Sequence, residues 1–382
     1  MAGSAGLVGL DLGTSGIRAV QLDRNRRTGE YSFARVAAVD LPPGAIRAGE
    51  IIETALVIKA LRTLWRRGRF STRRVAFGLP DSGVLTRQLD LPWMRAPDFR
   101  AALRYQIGDA LPLDLSAVEL DYHALGESRQ EDGTGQLLEV NRILVVAANS
   151  AGVAATAKVL RRARLEPVAA DTAAFALIRV ACRGRLPESQ AVTAVADLGA
   201  DQLTVVVHQS GQPRFIRTIG TLGGDVATVA VADRLHLGLA EAEALKRSTG
   251  LNGPPPVVAL VPESTVFTTL AAEAPRPIAP QAVATIEVLN PWATSVIAEI
   301  RNSLDYFEAS EPGARVTALS VAGRSISLSG LMERISTQIP LPVRPMPPLL
   351  DLGASRRVAR LPLPDARLAV AAGLAMHPQR TR

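Results

Sequence analysis

LVGLDLGTSGIRAVQL (residues 7–22) and AVADLGADQLTVVVHQ (residues 194–209) are two versions of one pattern. Each is an apolar run, then Asp-Leu-Gly, a short polar turn, and a second, largely apolar run. Aliphatic and β-branched residues on both sides of a Gly-containing turn predict a β-hairpin in each case. The first turns on Thr14, Ser15 and Gly16, the second on Ala200, Asp201 and Gln202. A repeat at a period of about 190 residues signals two similar halves, not a solenoid array.

The pattern has a chemical rationale. A tight turn that begins with Gly, as at Gly13 or Gly199, exposes consecutive backbone N–H groups that can donate to phosphate oxygens. Asp11 and Asp197 close the first strand of each hairpin, too near such a phosphate to touch it directly. A carboxylate there makes sense if Mg2+ or its waters lie between them. Two facing hairpins would then grip a triphosphate from both sides. One Asp-Leu-Gly hairpin alone can be an ordinary turn, and the weight comes from the second copy.

Composition sets the frame. A chain of 382 residues is too long for one ordinary core, so two domains are expected. Hydrophobic residues at 47% against charged residues at 21% exclude a disordered chain. Aromatics are only 4%, so Ala, Val and Leu must fill the core. The formal charge is +7, and Lys occurs only at Lys59, Lys158 and Lys246, so the cations are nearly all Arg. Such a bias can be purely compositional, or it can serve an anionic partner: a nucleotide, a nucleic acid or an acidic membrane face. The densest patch is Arg62, Arg66, Arg67, Arg69, Arg73 and Arg74, after an apolar helical stretch. It lacks interleaved aromatics of nucleic-acid-binding type, so no nucleic acid is expected and a solvated face is the plainer reading. Cys182 is the only cysteine, which rules out an internal disulfide and fits a reducing compartment. Neither a signal peptide nor an apolar run near the roughly 20 residues of a membrane helix is present; LAVAAGLAM (368–376) is among the longest. A soluble, cytoplasmic protein is the expectation.

These residues resemble the actin, sugar-kinase and heat-shock-chaperone ATPase superfamily, in which two such hairpins are the phosphate motifs of duplicated domains. Within it the chain resembles the PilM family of type IV pilus assembly proteins, over almost its whole length. The resemblance is carried by FIRTIGTLGGDVATVAVADRLHLGLAEAEALKRSTG (215–250), PWATSVIAEIRNSLDYFEA (291–309), ALSVAGRSISLSGLMERISTQIPLPV (318–343) and LAVAAGLAM, in one order. LPLDLSAVELDY (111–122) and ALIRVA (176–181) add to it in the first half. The resemblance implies an α/β actin-like ATPase fold: two ribonuclease-H-like domains around a nucleotide cleft. The first domain would span 1–190, with a small inserted subdomain at about 85–140, and the second 191–365. A closing helix at 366–376 would return to the first half. ATP and Mg2+ are the implied cofactors. The implied partner is the cytoplasmic N-terminal segment of a PilN-like single-span membrane protein. Other pilus platform components would follow, with the chain peripheral to the cytoplasmic face of the inner membrane through its partner.

Site residues follow from the matched positions. Gly13, Thr14, Ser15 and Gly199 would line the phosphates, and Asp11 and Asp197 the metal. Arg18 stands where relatives often carry a Lys that reaches the phosphates, and its planar fork keeps that charge; an exposed strand Arg is the alternative. Gly223 and Gly224 precede a helix start, where free N–H groups suit an anion, or they are a simple turn. Glu243 and Lys246 share a helix face and could reach ribose or base, or form an ion pair. Gly323 would allow close approach to adenosine, beside Arg324, where relatives often have a second glycine.

Hydrolysis needs a polar side chain to orient water. The corresponding stretch, PVAADTAAFALIRV (167–180), offers only Asp171, which reads better as a helix N-cap. No catalytic residue is therefore assigned, and tight binding with slow or no turnover is expected. Two alternatives stand beside the scaffold reading. An FtsA-like filament or division protein would usually end in an amphipathic helix, which HPQRTR cannot form. An actin-fold small-molecule kinase would need a carboxylate base that the first half does not obviously supply.

Overall fold

The computed structural model describes residues 6–25, 27–79, 83–110, 114–131, 133, 135–182, 190–253, 279–311, 313–346, 352, 358 and 365–378. The first half contains strands β1 (Val8–Gly13), β2 (Gly16–Arg24), β3 (Tyr31–Asp40), the two-residue pair β4 (Ile46–Arg47) and β5 (Glu50–Ile51), β6 (Arg74–Leu79), β7 (Val84–Pro92), β8 (Val118–Glu131), β9 (Leu137–Asn149) and β10 (Glu166–Thr172). Its helices are α1 (Thr54–Gly68), α2 (Ala96–Ala110), α3 (Ser150–Arg162) and α4 (Ala173–Ala181). The second half contains β11 (Val192–Leu198), β12 (Leu203–Gln209), β13 (Gln212–Ile219), β14 (Val316–Ala322) and β15 (Val343–Pro345). Its helices are α5 (Gly224–Leu235), α6 (Leu239–Thr249), α7 (Pro280–Ser310) and α8 (Leu331–Gln338), followed by α9 (Ala369–Ala375) near the end of the chain.

Each half is built on one five-stranded sheet, ordered β10-β6-β1-β2-β3 and β13-β12-β11-β14-β15. In both, three strands run as an antiparallel meander, and the first of them also pairs in parallel with a later strand. A fifth strand adds in parallel at the edge. The repeated hairpins are thus the central strands of two topologically equivalent sheets. Val8 and Leu10 in β1, and Ala196 and Leu198 in β11, are fully buried, as strands covered on both faces must be.

Helices α4 and α9 lie between the two sheets, in an apolar cluster that joins Val20 and Ala76 to Val195, Val206 and Ala322. Small residues permit this. A Cβ on Gly9 of β1 would meet the Ala371 carbonyl oxygen at 1.9 Å, and one on Gly373 would meet the Ala176 oxygen at 1.9 Å. Helix backbone therefore rests directly on strand and helix backbone.

Helix α7 buries Ala282, Thr285, Leu289, Ala293, Val296, Ile300, Leu304 and Phe307 on one stripe, the core of the second half. It extends N-terminal of the 291–309 stretch read from sequence. Pro291, which looks like a helix start, sits in its interior, where burial of Leu289, Trp292 and Ala293 holds the turn despite the missing N–H. The segment 252–280, whose Pro- and Ala-rich composition predicts a surface loop, lies mostly outside the described residues.

The inserted unit is the three-stranded sheet β7-β9-β8, with α2 packed on it through Phe99, Leu103 and Ile107. The sequence expectation ends it at about residue 140, short of the apolar stretch RILVVAAN (142–149). That stretch is the second half of β9, which pairs with β7 from Val140 to Ala148 and with β8 from Leu137 to Asn149. It reads as buried because it is the middle strand of a small sheet. No helix among the described residues is long and apolar enough to cross a membrane.

Candidate functional site

The two hairpin turns line one cleft between the halves, with about 820 Å3 of open space. Asp11, Gly13, Thr14, Ser15 and Arg18 come from the first hairpin, and Asp197, Gly199, Ala200 and Asp201 from the second. Gly323, Arg324 and Arg367 complete the wall. A smaller compartment of about 370 Å3 adjoins it, sharing Ala200 and Arg324 and lined by Gly224, Glu243 and Lys246. The cleft thus brings together the residues singled out from sequence, except Gly223, which supports the second turn from behind.

Asp11 and Arg18 face each other across the first hairpin. Arg18 is 9% exposed, pairs through Nη1 with Asp11 Oδ2 at 3.2 Å, and donates through Nη2 to Ser15 Oγ at 3.3 Å. Burial pushes the Asp11 carboxyl above its usual range, and the Arg18 charge and hydrogen bond partly oppose that. The exposed-strand alternative for Arg18 is therefore excluded. At the equivalent place on the second hairpin Asp197 faces Thr204, so the guanidinium is a feature of one hairpin only.

Gly223 and Gly224 serve contact between backbones. The Gly224 N–H donates to the Gly199 oxygen at 3.1 Å and the Asp225 N–H to the Ala200 oxygen at 2.7 Å. A Cβ on Gly223 would lie 2.2 Å from the Asp201 carbonyl carbon. These helix N-terminal donors were read as free for an anion; the second hairpin consumes two of them. Gly323 shows a similar shift. Its φ is +99°, and its Cβ position lies 2.3 Å from the Leu198 oxygen, so the close approach it permits is to β11.

Lys246 is 7% exposed and donates to the Gly224 oxygen at 2.8 Å, Thr228 Oγ1 at 2.6 Å and Glu243 Oε2 at 2.6 Å. Its three ammonium protons are spent inside the fold, holding α6 to the start of α5. Glu243 also accepts from Arg247 at 2.7 Å and from Arg324 at 3.2 Å. Burial alone would raise its carboxyl, but the Lys246 charge and hydrogen bonds from Lys246, Thr228 and Arg247 hold it below the usual range. The pair is an internal ion pair on the wall of the smaller compartment, with Glu243 the more open member.

Contacts cross the cleft, among them a long Arg324–Asp40 ion pair at 3.9 Å. Thr14 Oγ1 donates to Asp225 Oδ2 at 3.3 Å, and Arg324 Nη1 donates to the Ser15 carbonyl oxygen at 3.5 Å. Arg324 thereby links the first hairpin to Glu243. The sequence reading missed Asp201, Asp225 and Arg367. Burial, with neighbouring carboxylates, raises the Asp201 and Asp225 carboxyls. Burial and then the charges of Arg18 and Arg247 lower Arg367, whose Nε is buried with no partner among the described residues. The signals were present: Asp225 follows the Gly-Gly pair, and Arg367 immediately precedes the apolar run LAVAAGLAM.

Asp171 is not the N-cap of α4. Thr172 is, its Oγ1 accepting from the Phe175 N–H at 3.3 Å. Asp171 instead pairs with Arg179 at 2.5 Å, outside the cleft. From this region Ala173 lines the cleft, and its methyl side chain offers no polar atom to a water. No group of three or more metal-ligating side chains occurs among the described residues.

A second concavity, about 1470 Å3 of open space, lies between β8 of the inserted sheet, β10, α4 and the β12–β13 turn. Leu79, Leu120, Val146, Phe175 and Ile178 give it an apolar floor, and Glu119, Asp121 and the Asp171–Arg179 pair stand on its walls. His123 of β8 hydrogen-bonds Gln212 of the second half across it.

The sequence matches the family described as type IV pilus assembly protein PilM over residues 9–262 and 280–379. Among solved structures, a PilM–PilN type IV pilus biogenesis complex matches with a TM-score of 0.76 at 23% identity, covering 97% of each chain. The ethanolamine utilization protein EutJ from Carboxydothermus hydrogenoformans follows at 0.53 and 14%, covering 99% of this chain and 91% of that one. MreB5 of Spiroplasma citri, bound to AMPPNP, gives 0.50 and 12%, covering 97% and 95%. The fold is the two-domain actin-like α/β fold.

Proposed function

The chain belongs to the type IV pilus assembly protein PilM family, and from that premise we propose that it is a nucleotide-binding scaffold. Its place is the cytoplasmic face of the inner membrane, in the platform of a pilus or a related secretion or DNA-uptake machine. ATP occupies the cleft, its phosphates between the Gly13–Ser15 and Gly199–Asp201 turns, with Arg18 and Arg367 as countercharges and Glu243 toward the ribose. Asp11 and Asp197 are hard oxygen ligands at equivalent ends of the two hairpins and suit Mg2+. With so few protein ligands, most of its shell would be phosphate and water, as this ion prefers. Bound there, Mg2+ supplies positive charge against the triphosphate.

The observation that carries this reading is two equivalent hairpins facing one cleft, with Ala173 where a water-orienting side chain would be needed. Binding is therefore tight and turnover slow or absent, and the nucleotide acts as a structural or switching ligand. Phosphate release by the purified chain tests it. Steady release at several turnovers per minute, abolished by Asp197→Ala, would overturn the non-hydrolytic reading. Pelleting with nucleotide would instead favour a filament former.

The partner is the cytoplasmic tail of a PilN-like single-span protein, taken up as an extended segment along the edge strand β8. The concavity beside β8 supports this, since its apolar floor suits alternate side chains. Glu119 and Asp121, exposed on its β8 wall, suit the Lys and Arg that cytoplasmic membrane-flanking segments carry. Titration of a labelled tail peptide decides: no binding at high micromolar concentration removes the partner from the proposal.

A further inference from the structure

The arginine patch of the first half has no part in either site described above. Strand β1 runs from Val8 toward its turn, with β6 and β10 parallel to it from Arg74 and Glu166. Residues 69–74 and 161–166 therefore sit at the end of the sheet farthest from the cleft. Helices α1 and α3 both finish there, and their ends wall a concavity of about 1230 Å3 of open space. Arg62, Trp65, Arg66, Phe70, Arg73 and Arg164 line it. Arg62 donates to the Arg162 oxygen at 3.1 Å and Arg73 to the Arg164 oxygen at 3.0 Å, which fixes two guanidiniums at its rim. Arg66, Arg67, Arg69, Arg161, Arg162 and Arg164 are exposed, and none forms an ion pair with another described residue.

Cations at a helix C-terminus offset the dipole, and Arg66 and Arg67 for α1 and Arg161 and Arg162 for α3 already do so. Arg62 also reaches the last carbonyl of α3, whereas Arg69, Arg73 and Arg164 are surplus to that need. A cluster of like charge repels itself, so an external anionic surface is its natural balance. The floor of the concavity decides which surface. Trp65 and Phe70 do interleave with the arginines, but their rings pack on each other at 4.9 Å and 49°. Trp65 Nε1 is spent on the Thr72 oxygen at 3.1 Å. Rings closed on each other are not a platform on which bases stack. An amphipathic Trp under a rim of guanidiniums matches the headgroup boundary of a bilayer, where both side chains are favoured. Guanidinium also meets phosphate oxygens in pairs.

We propose that this end of the first half docks on the anionic phospholipid leaflet, with lipid phosphates held by Arg62, Arg66, Arg73 and Arg164 above the Trp65–Phe70 floor. The contact leaves the nucleotide cleft, at the opposite end of the sheet, facing away from the lipid.

Flotation of the full chain with vesicles tests this, using about one-third phosphatidylglycerol against pure phosphatidylcholine, at roughly 50 and 300 mM salt. The expected result is binding to the anionic vesicles alone, weakened at the higher salt. The triple variant Arg66→Ser, Arg161→Ser, Arg164→Gly should lower partition on the order of a hundred-fold. Glycine suits position 164, where φ is +65°. A matched triple on the second half, Arg234→Ser, Arg301→Ser, Arg315→Ser, should bind as the parent does. Should the first triple fold poorly, Arg66→Ser alone should still cost roughly five-fold. Absence of anionic-vesicle binding, or equal loss in both triples, overturns the proposal. So does binding of a single-stranded oligonucleotide that the first triple abolishes while vesicles stay unbound.

Discussion

Replacing Arg18 by Met should destabilise the folded chain by about 2–3 kcal/mol at pH 8, and by less at pH 5. Arg18 and Asp11 meet at 3.2 Å with side-chain exposures of 11% and 22%. Removing one member of a fully buried pair costs roughly 3–5 kcal/mol, because the other charge is left uncompensated. The partial solvent access of Asp11 sets the lower figure. The pH dependence follows from the same carboxyl. Burial already raises Asp11 above its unfolded value of 3.8, with Arg18 opposing; without Arg18, burial acts unopposed. A carboxyl raised in the folded state keeps a proton that the unfolded chain has released. Stability is therefore greatest below the unfolded value and falls as pH rises through the folded one. Urea melts at both pH values, on the parent, Arg18→Met, Asp11→Asn and the double variant, measure the effect. The double variant should recover most of the loss, with a coupling of about 2 kcal/mol. A variant as stable as the parent at pH 8, or a coupling below about 0.5 kcal/mol, would refute a buried, charge-dependent pair at the heart of the first hairpin.

Acid should unfold the chain partly through His208. It is buried in β12 at 4% exposure, and burial lowers its pKa to about 4 against 6.5 unfolded. The unfolded chain binds the extra proton first, so stability contributed near pH 7 is lost as pH falls from 6.5 toward 4, by about 3 kcal/mol. Denaturant melts of His208→Gln across that window should show a flatter slope, and an unchanged slope would remove His208 as the cause. Gly373→Ala places a methyl 1.9 Å from the Ala176 oxygen, in backbone contact that cannot yield cheaply. About 3 kcal/mol or more of destabilisation is expected, seen as a large fall in melting temperature, and a fall of only a degree or two would mean α9 is not seated against α4.

The duplicated fold was legible because a hairpin is a local event. Asp-Leu-Gly followed by a short turn writes both of its strands within about sixteen residues, and its recurrence locates the two sheets. Identity of contact partners was less legible. Glycine marks a place where something comes close without saying what, and at Gly223, Gly323 and Gly373 that something is the chain's own backbone. Lys246 and Glu243 were correctly placed on one face by their spacing, yet spacing cannot reveal that Gly224 and Thr228 lie above that face to absorb the ammonium. Asp171 and Thr172 are both good cap residues, and only the helix start decides between them. The end of the inserted sheet was missed for a related reason. An apolar strand looks the same whether its cover is a large domain or a single helix such as α2.

The two hairpins share a backbone and differ in chemistry, and the differences divide their labour. The second turn is gripped from behind: Gly199 and Ala200 accept from the start of α5, and Ser325 Oγ also donates to the Gly199 oxygen at 3.0 Å. The first turn bonds no helix start of its own half among the described residues; the Ser15 oxygen accepts from the Leu41 N–H at 3.3 Å and from Arg324 of the other half, and Thr14 donates to Asp225 across the cleft. The first carries the guanidinium opposite its aspartate, whereas the second carries only Thr204 there. A rigid turn built into its domain, facing a charged turn tied partly to the opposite domain, makes the relative position of the halves depend on what lies between them. Any anion entering the cleft competes with Asp11 for Arg18 and with Ser15 and Glu243 for Arg324. Of these two arginines only Arg324 spans the halves, from Ser15 to Glu243, while Arg18 bonds within its own hairpin, so an anion would act on both halves through Arg324.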